Sequence, residues 1–248
     1  MSAAGSAVAA SNAAAVRDRI AGADWNRIEN ELDLNGWSLL ERLLDTAACR
    51  TLIESYADTA AFRSRIVMAR YNFGRGEYQY YRYPLPEPVA TLREETYRHL
   101  VGIANSWTER LGGEHRFPSA HHEFRQQCAA AGQHRPTPLI LRYGASDYNC
   151  LHQDLYGELY FPLQLAILLD EPGVDFTGGA LVMTEQRPRM QSRAHVVPIT
   201  QGSGVIFAVN QRPVHGKRGD YRVTMRHGVS TIGAGARHTL GIIFHDAA

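Results

Sequence analysis

Apolar positions recur at helical spacing through the first half of the chain and give way to short extended runs in the second. Val16, Ile20, Trp25, Ile28 and Leu32 predict a helix over 16–34, weakened at Gly22 and stopped by Asn35-Gly36. Residues 37–40 read as briefly extended. Asp45 or Thr46 then caps a helix whose inward stripe is Ala47, Leu52, Ile53 and Tyr56. The prolines of 84–88 make a stiff connector. Beyond it Leu92, Tyr97, Leu100, Ile103, Ala104 and Trp107 form the apolar face of a long helix over 89–111, ended by Gly112-Gly113, and a shorter helix covers 120–131.

Residues 70–83 place alternating aromatics on both sides of a glycine-bearing turn, which predicts a hairpin. Its rings, Tyr78 and Tyr80 among them, either cover a sheet edge or form a substrate lid in which rings and arginines stack on a planar substrate. From Pro136 onward short apolar runs are separated by Gly, Pro and Asp, the texture of an all-β region. The expected strands are 139–143, 149–154, 163–169, 180–185, 195–198, 204–209, 222–232 and 238–245. The expected fold is therefore mainly β with N-terminal helices: a double-stranded β-helix, or jelly roll, of about eight strands braced by helices.

At 248 residues and 44% hydrophobic content the chain can bury a large core, and a single domain is expected over 16–248, with helical support over about 16–131 and the jelly-roll core over about 136–248. Residues 1–15, rich in Ala and Ser, read as a disordered tail without the charged start and apolar stretch of a secretory signal. A formal net charge of +1 gives no global field that would select nucleic acid or membrane. No apolar run approaches the roughly 18 residues of a membrane span. Three unpaired cysteines (Cys49, Cys128, Cys150) fit a reducing compartment, so a cytoplasmic location is expected; the oligomeric state stays open.

The chemistry begins at Leu151-His152-Gln153-Asp154. His-x-Asp on an extended strand puts both side chains on one face, where they can share a metal, and two histidines with one carboxylate leave positions open on an iron. Two later histidines compete for the third place. His215 sits among turn formers and charges in 212–220 and reads as an exposed loop, whereas His227 lies on a probable strand and is the better-held ligand. Arg237 offers a planar fork for a carboxylate, and Thr239 on the same strand face is a second donor. Cys150, two residues before His152, reads as a small buried hydrophobe.

His152-x-Asp154, a distant His227 and Arg237-x-Thr239 on the last strand resemble the pattern of Fe(II)/2-oxoglutarate-dependent oxygenases over the C-terminal half, with the prolyl-hydroxylase type the nearest in spacing. That resemblance implies that His152, Asp154 and His227 bind Fe(II), that Arg237 pairs with the far carboxylate of the co-substrate 2-oxoglutarate, and that Tyr143 hydrogen-bonds it. It also implies a dioxygenase that consumes O2 and hydroxylates an unactivated C–H bond, releasing succinate and CO2. The substrate, whether small molecule, protein side chain or nucleic acid, is not implied.

Arg142-Tyr143 followed by 151–154 is more weakly similar to the AlkB-like nucleic-acid dealkylases, whose last strands carry a different arginine arrangement, so oxidative dealkylation stands as an alternative. A non-catalytic jelly-roll binding module is the other alternative. A cupin-type site would call for a closely spaced His-x-His, which the sequence lacks.

Overall fold

The computed structural model describes residues 13–248, and the expected tail lies largely outside them; residues 13–15 already belong to a helix. The helix expected over 16–34 is two, α1 (13–21) and α2 (Trp25–Asn35). Gly22 marks the break, Asp24 caps α2 by accepting from the Arg27 N–H at 3.0 Å, and Trp25 Nε1 donates back to the Ile20 carbonyl at 2.8 Å. Gly36 ends α2 in the left-handed conformation at φ 79°. The remaining helices are α3 (Thr46–Ser55), capped by Asp45, α4 (Glu87–Arg110), with Pro88 in its first turn, and α5 (His121–Ala130).

Two antiparallel sheets form the barrel. The larger runs in the order β1 (Trp37–Leu40), β11 (Gly204–Ala208), β7 (Leu163–Leu168), β15 (Arg237–Ile242), β5 (Leu139–Tyr143), β4 (Glu77–Tyr81), β2 (Phe62–Val67). The smaller runs β10 (Arg193–Val197), β9 (Leu181–Gln186), β13 (Gly219–Val229), β6 (Tyr148–His152), β3 (Gly74–Arg75), and β12 (Gln211–Gly216) pairs with β13. β8 (Phe176–Gly178) and β14 (Ile232–Gly235) pair separately. The fold is the expected jelly roll with bracing helices, carrying more strands than eight.

The larger sheet is buried on both faces, which explains its near-continuous apolar strands. Ile140, Leu165, Ile167, Leu240 and Ile242 pack with Leu92, Tyr97, Leu100 and Trp107 of α4 in one core. The alternate residues Tyr143, Leu168, Val205 and Phe207 pack inside the barrel with Leu181, Met183 and Val229 of the smaller sheet. The period of two therefore aims Tyr143, Gln164, Arg237 and Thr239 into the barrel.

Two expectations change. Residues 70–83 do not form a hairpin: β4 is an interior strand between β2 and β5, and only β3 reaches across to β6 in the other sheet. Gly74 and Gly76, at φ 129° and 110°, redirect the chain between sheets, a turn of the path that aromatic alternation does not reveal. Residues 212–220 are not a loop but the hairpin of β12 with β13, where Pro213 is tolerated on an edge strand. Among the described residues no helix is long and apolar enough to cross a membrane.

Candidate metal centre

His152 and His227 stand directly opposite one another across the antiparallel β6–β13 pair, so their rings emerge on one face with centroids 4.2 Å apart. Asp154 lies just past the end of β6 rather than on it. It is nonetheless buried, with Oδ1 3.5 Å from His152 Nε2 and Oδ2 3.4 Å from His227 Nε2. One ligand atom from each of the three residues falls within 4.8 Å of the others, a spacing that can hold a metal ion.

Each member is held from behind. His152 Nδ1 donates to the Cys150 carbonyl at 2.8 Å, which turns Nε2 toward Asp154. The Tyr156 hydroxyl donates to Asp154 Oδ1 at 2.6 Å and Gln164 Nε2 donates to Oδ2 at 2.9 Å. Burial works against charge on Asp154, but the neighbouring His152 and the hydrogen bond from His227 outweigh it and hold the carboxyl well below the usual range. Burial, reinforced by His152, lowers the His227 pKa, which favours the neutral imidazole a metal requires.

Deeper in the barrel lies Arg237. Three arginines are almost fully buried; Arg93 is paired with Asp246 at 2.8 Å and Arg212 with Glu185, whereas Arg237 has no carboxylate among the described residues. One terminal nitrogen donates to Thr239 Oγ1 at 2.6 Å, and its Nε and the Tyr143 hydroxyl are both buried without a partner. Burial lowers the guanidinium pKa against the favourable influence of Tyr143 and Asp170, so the site disfavours this charge in its present company. Gly179, at φ 60°, lets the backbone pass close to the Arg237 stem: a Cβ there would meet Arg237 Cδ at 3.0 Å. A cavity of about 300 Å³ joins Arg237, Thr239 and Tyr143 to His152, Asp154 and His227. An unpartnered buried cation and a free hydroxyl at one end, and two imidazoles with a carboxylate at the other, fit an Fe(II) ion chelated by a 2-oxo diacid.

His215 lies elsewhere, with its side chain 82% exposed at the β12–β13 hairpin and its Nδ1 3.0 Å from Asp220. Cys150 is exposed instead of buried, because β6 lies at the open side of the barrel and lines the cavity. Sequence reasoning missed Gln164 and Tyr156. Gln164 had a signal, a lone amide in the otherwise apolar strand Leu163–Leu168; Tyr156 had none beyond its nearness to Asp154.

A model of the Oxygenase-NA family, described as an oxygenase catalysing oxidative methylation of damaged DNA, matches residues 76–247. The uncharacterized proteins MT2286 and Rv2227 of two Mycobacterium tuberculosis strains are each 47% identical over 165 residues, 66% of this chain and 71% of theirs. Among solved structures, the chain is similar to a Pseudomonas putida prolyl-4-hydroxylase (TM-score 0.53, 16% identity, 90% of this chain and 99% of that one). It is similar also to a Trichoplax adhaerens prolyl hydroxylase in complex with a hypoxia inducible factor peptide fragment (TM-score 0.55, 15% identity, 88% and 87%). By the family match the chain belongs to the Oxygenase-NA family of oxygenases, on the fold shared with the prolyl hydroxylases.

Proposed function

We propose that the protein is an Fe(II)/2-oxoglutarate-dependent dioxygenase that hydroxylates a substrate C–H bond. The observation that carries this reading is Arg237, a buried guanidinium without a carboxylate that opens onto the same cavity as the His152, Asp154 and His227 cluster. In this reading the two histidines and Asp154 hold Fe(II), Arg237 and Thr239 bind the distal carboxylate of 2-oxoglutarate, and Tyr143 donates its free hydroxyl to the same group. Iron so held, with 2-oxoglutarate and O2, supplies the oxidant that converts C–H to C–OH with release of succinate and CO2.

The chain's own part is to orient and to exclude. Tyr156 and Gln164 fix the Asp154 carboxylate, while Phe207, whose ring lies 4.6 Å from that of His227, and Leu181, Ile199 and Val229 keep the inner cavity apolar. The test is anaerobic titration with Fe(II) and 2-oxoglutarate, followed by admission of O2 and assay of succinate. A weak visible charge-transfer band that bleaches as succinate forms is expected. Failure to bind iron would favour a jelly-roll binding module instead.

A second reading is favoured by the description of the matching family: the oxidised carbon is an alkyl group on a base of damaged DNA. Hydroxylation of an N-methyl group gives a hemiaminal, which breaks its C–N bond to return the free nitrogen and formaldehyde. Formaldehyde released in step with succinate from a methylated oligonucleotide, and not from its unmethylated counterpart, tests it.

A further inference from the structure

Tyr78 and Tyr80, the rings expected to cover a sheet edge or form a lid, turn away from solvent: Tyr80 is 7% exposed and Tyr78 packs against the barrel core. The rings that do face solvent precede them. Tyr71 and Phe73 are 54% and 48% exposed and stacked on one another, with centroids 5.5 Å apart and planes 21° from parallel. Large rings left bare as a pair mark an interaction surface more often than isolated exposed side chains do.

The segment that carries them is firmly built. Met68 is buried at its base, its N–H donates to the Gly76 carbonyl at 3.0 Å, and the Phe73 N–H donates to the Met68 carbonyl at 3.3 Å. The Phe73 carbonyl in turn accepts from the Cys150 N–H at 2.9 Å, which pins the segment to β6 two residues before His152. Gly74 makes that approach possible, since a Cβ there would lie 2.3 Å from the Tyr148 carbonyl oxygen. Asn72 and Phe73 line the mouth of the cavity that contains His152, and Tyr148 and Leu151 of β6 are exposed beside them.

Charge narrows the occupant. Residues 68–76 contain Arg70 and Arg75, both exposed, and no carboxylate. Arg65 pairs with Glu77, but neither Arg70 nor Arg75 forms an ion pair among the described residues. Bare rings between unpaired arginines suit a strand of flat bases joined by phosphates, in which stacking and phosphate contact alternate. A polypeptide brings rings but no regular phosphate, and β3, two residues long, is too short an edge to add a peptide strand.

We propose that Tyr71 and Phe73 are a stacking platform for a base of a single-stranded nucleic acid, with Arg70 and Arg75 meeting its phosphates, so that a neighbouring nucleotide enters the cavity. This rests on the reading of damaged DNA as substrate and adds the residues that receive the strand and the preference for a single strand.

The test measures anisotropy of a short fluorescent DNA oligonucleotide with the full-length, metal-free protein. Single-stranded DNA is expected to bind more tightly than duplex. Tyr71→Ala and Phe73→Ala each weaken binding about tenfold, and Tyr71→Phe retains it, because stacking needs the ring and not the hydroxyl. Arg70→Ala with Arg75→Ala lowers the salt dependence of binding. Thermal melts confirm that the variants fold. The same losses with an RNA oligonucleotide that binds more tightly support the platform and assign it to RNA. Undiminished DNA binding by folded Tyr71→Ala and Phe73→Ala overturns the platform while the damaged-DNA reading stands. Binding of no oligonucleotide by a protein that still forms succinate overturns both. A peptide bound in place of DNA, and lost in the same two variants, overturns the nucleic-acid assignment.

Discussion

Arg237 and Tyr143 face each other across the antiparallel β15–β5 pair, the guanidinium carbon 5.9 Å from the ring centroid, with neither polar group given an anionic partner among the described residues. A buried charge without a counterion is costly, and a bound carboxylate removes the cost. Arg237→Met is therefore expected to weaken 2-oxoglutarate by about 2 kcal/mol or more, roughly 30-fold, while the ligand-free thermal midpoint holds or rises. Anaerobic titration of the charge-transfer band gives the affinity and calorimetry gives the midpoint. Unchanged affinity would remove Arg237 from the carboxylate site.

The two candidate histidines separate cleanly by position. His227→Ala deletes a ring that faces Asp154 inside the barrel, and its Fe(II) affinity is expected to fall by more than the roughly 100-fold that loss of an outer partner can cause. His215→Ala touches only an exposed pair with Asp220 and should bind Fe(II) as the parent does. Metal titration by calorimetry decides, and the reverse pattern would move the ligand to His215.

The barrel and the order of the candidate ligands along it were legible in the sequence because both rest on local patterns. Apolar runs bounded by Gly, Pro and Asp locate β5, β7, β9 and β11 to within a residue, and β15 to within three. His152 opposite His227, by contrast, is a register fact between strands 75 positions apart, and its chemistry was legible only because the residue types are few. The 70–83 segment misled for the opposite reason. Its aromatic alternation is genuine strand patterning in β4, but partner choice is set by Gly74 and Gly76, which send β3 to one sheet and β4 to the other. Hairpin β12–β13 was hidden by polarity, since an outer edge strand has no second face to bury.

Stability should fall on acidification from neutral pH, as buried histidines are left unprotonated. Burial, aided by Arg93, lowers His245 to about 4, and burial likewise sets His121 well below its ordinary value. Both are neutral when folded and free to take a proton when unfolded. Their contribution is complete above an unfolded pKa of about 6.5 and is lost as pH falls toward 4, with the unfolded state holding more protons throughout that window. For His245 about 2 kcal/mol is lost by pH 5. Urea denaturation between pH 7.5 and pH 5 measures it, and His245→Gln is expected to flatten the slope. An unchanged slope in that variant would assign the effect to the other buried histidines, His121 and His227.

The last prediction concerns the two donors on Asp154. Tyr156 holds Oδ1 and Gln164 holds Oδ2, so the carboxylate enters the site with both oxygens engaged, and a metal that takes one of them displaces that oxygen's donor. The oxygen that keeps its donor is the one that orients the ligand. Tyr156→Phe and Gln164→Leu are both close in shape to the parent, and the variant that strips the orienting oxygen is expected to lose about 10- to 100-fold in Fe(II) affinity. The other variant should lose little, because its oxygen passes from the donor to the metal. Calorimetric Fe(II) titration of the pair thus identifies the coordinating oxygen, and full affinity in both variants would mean that His152 and His227 alone position Asp154.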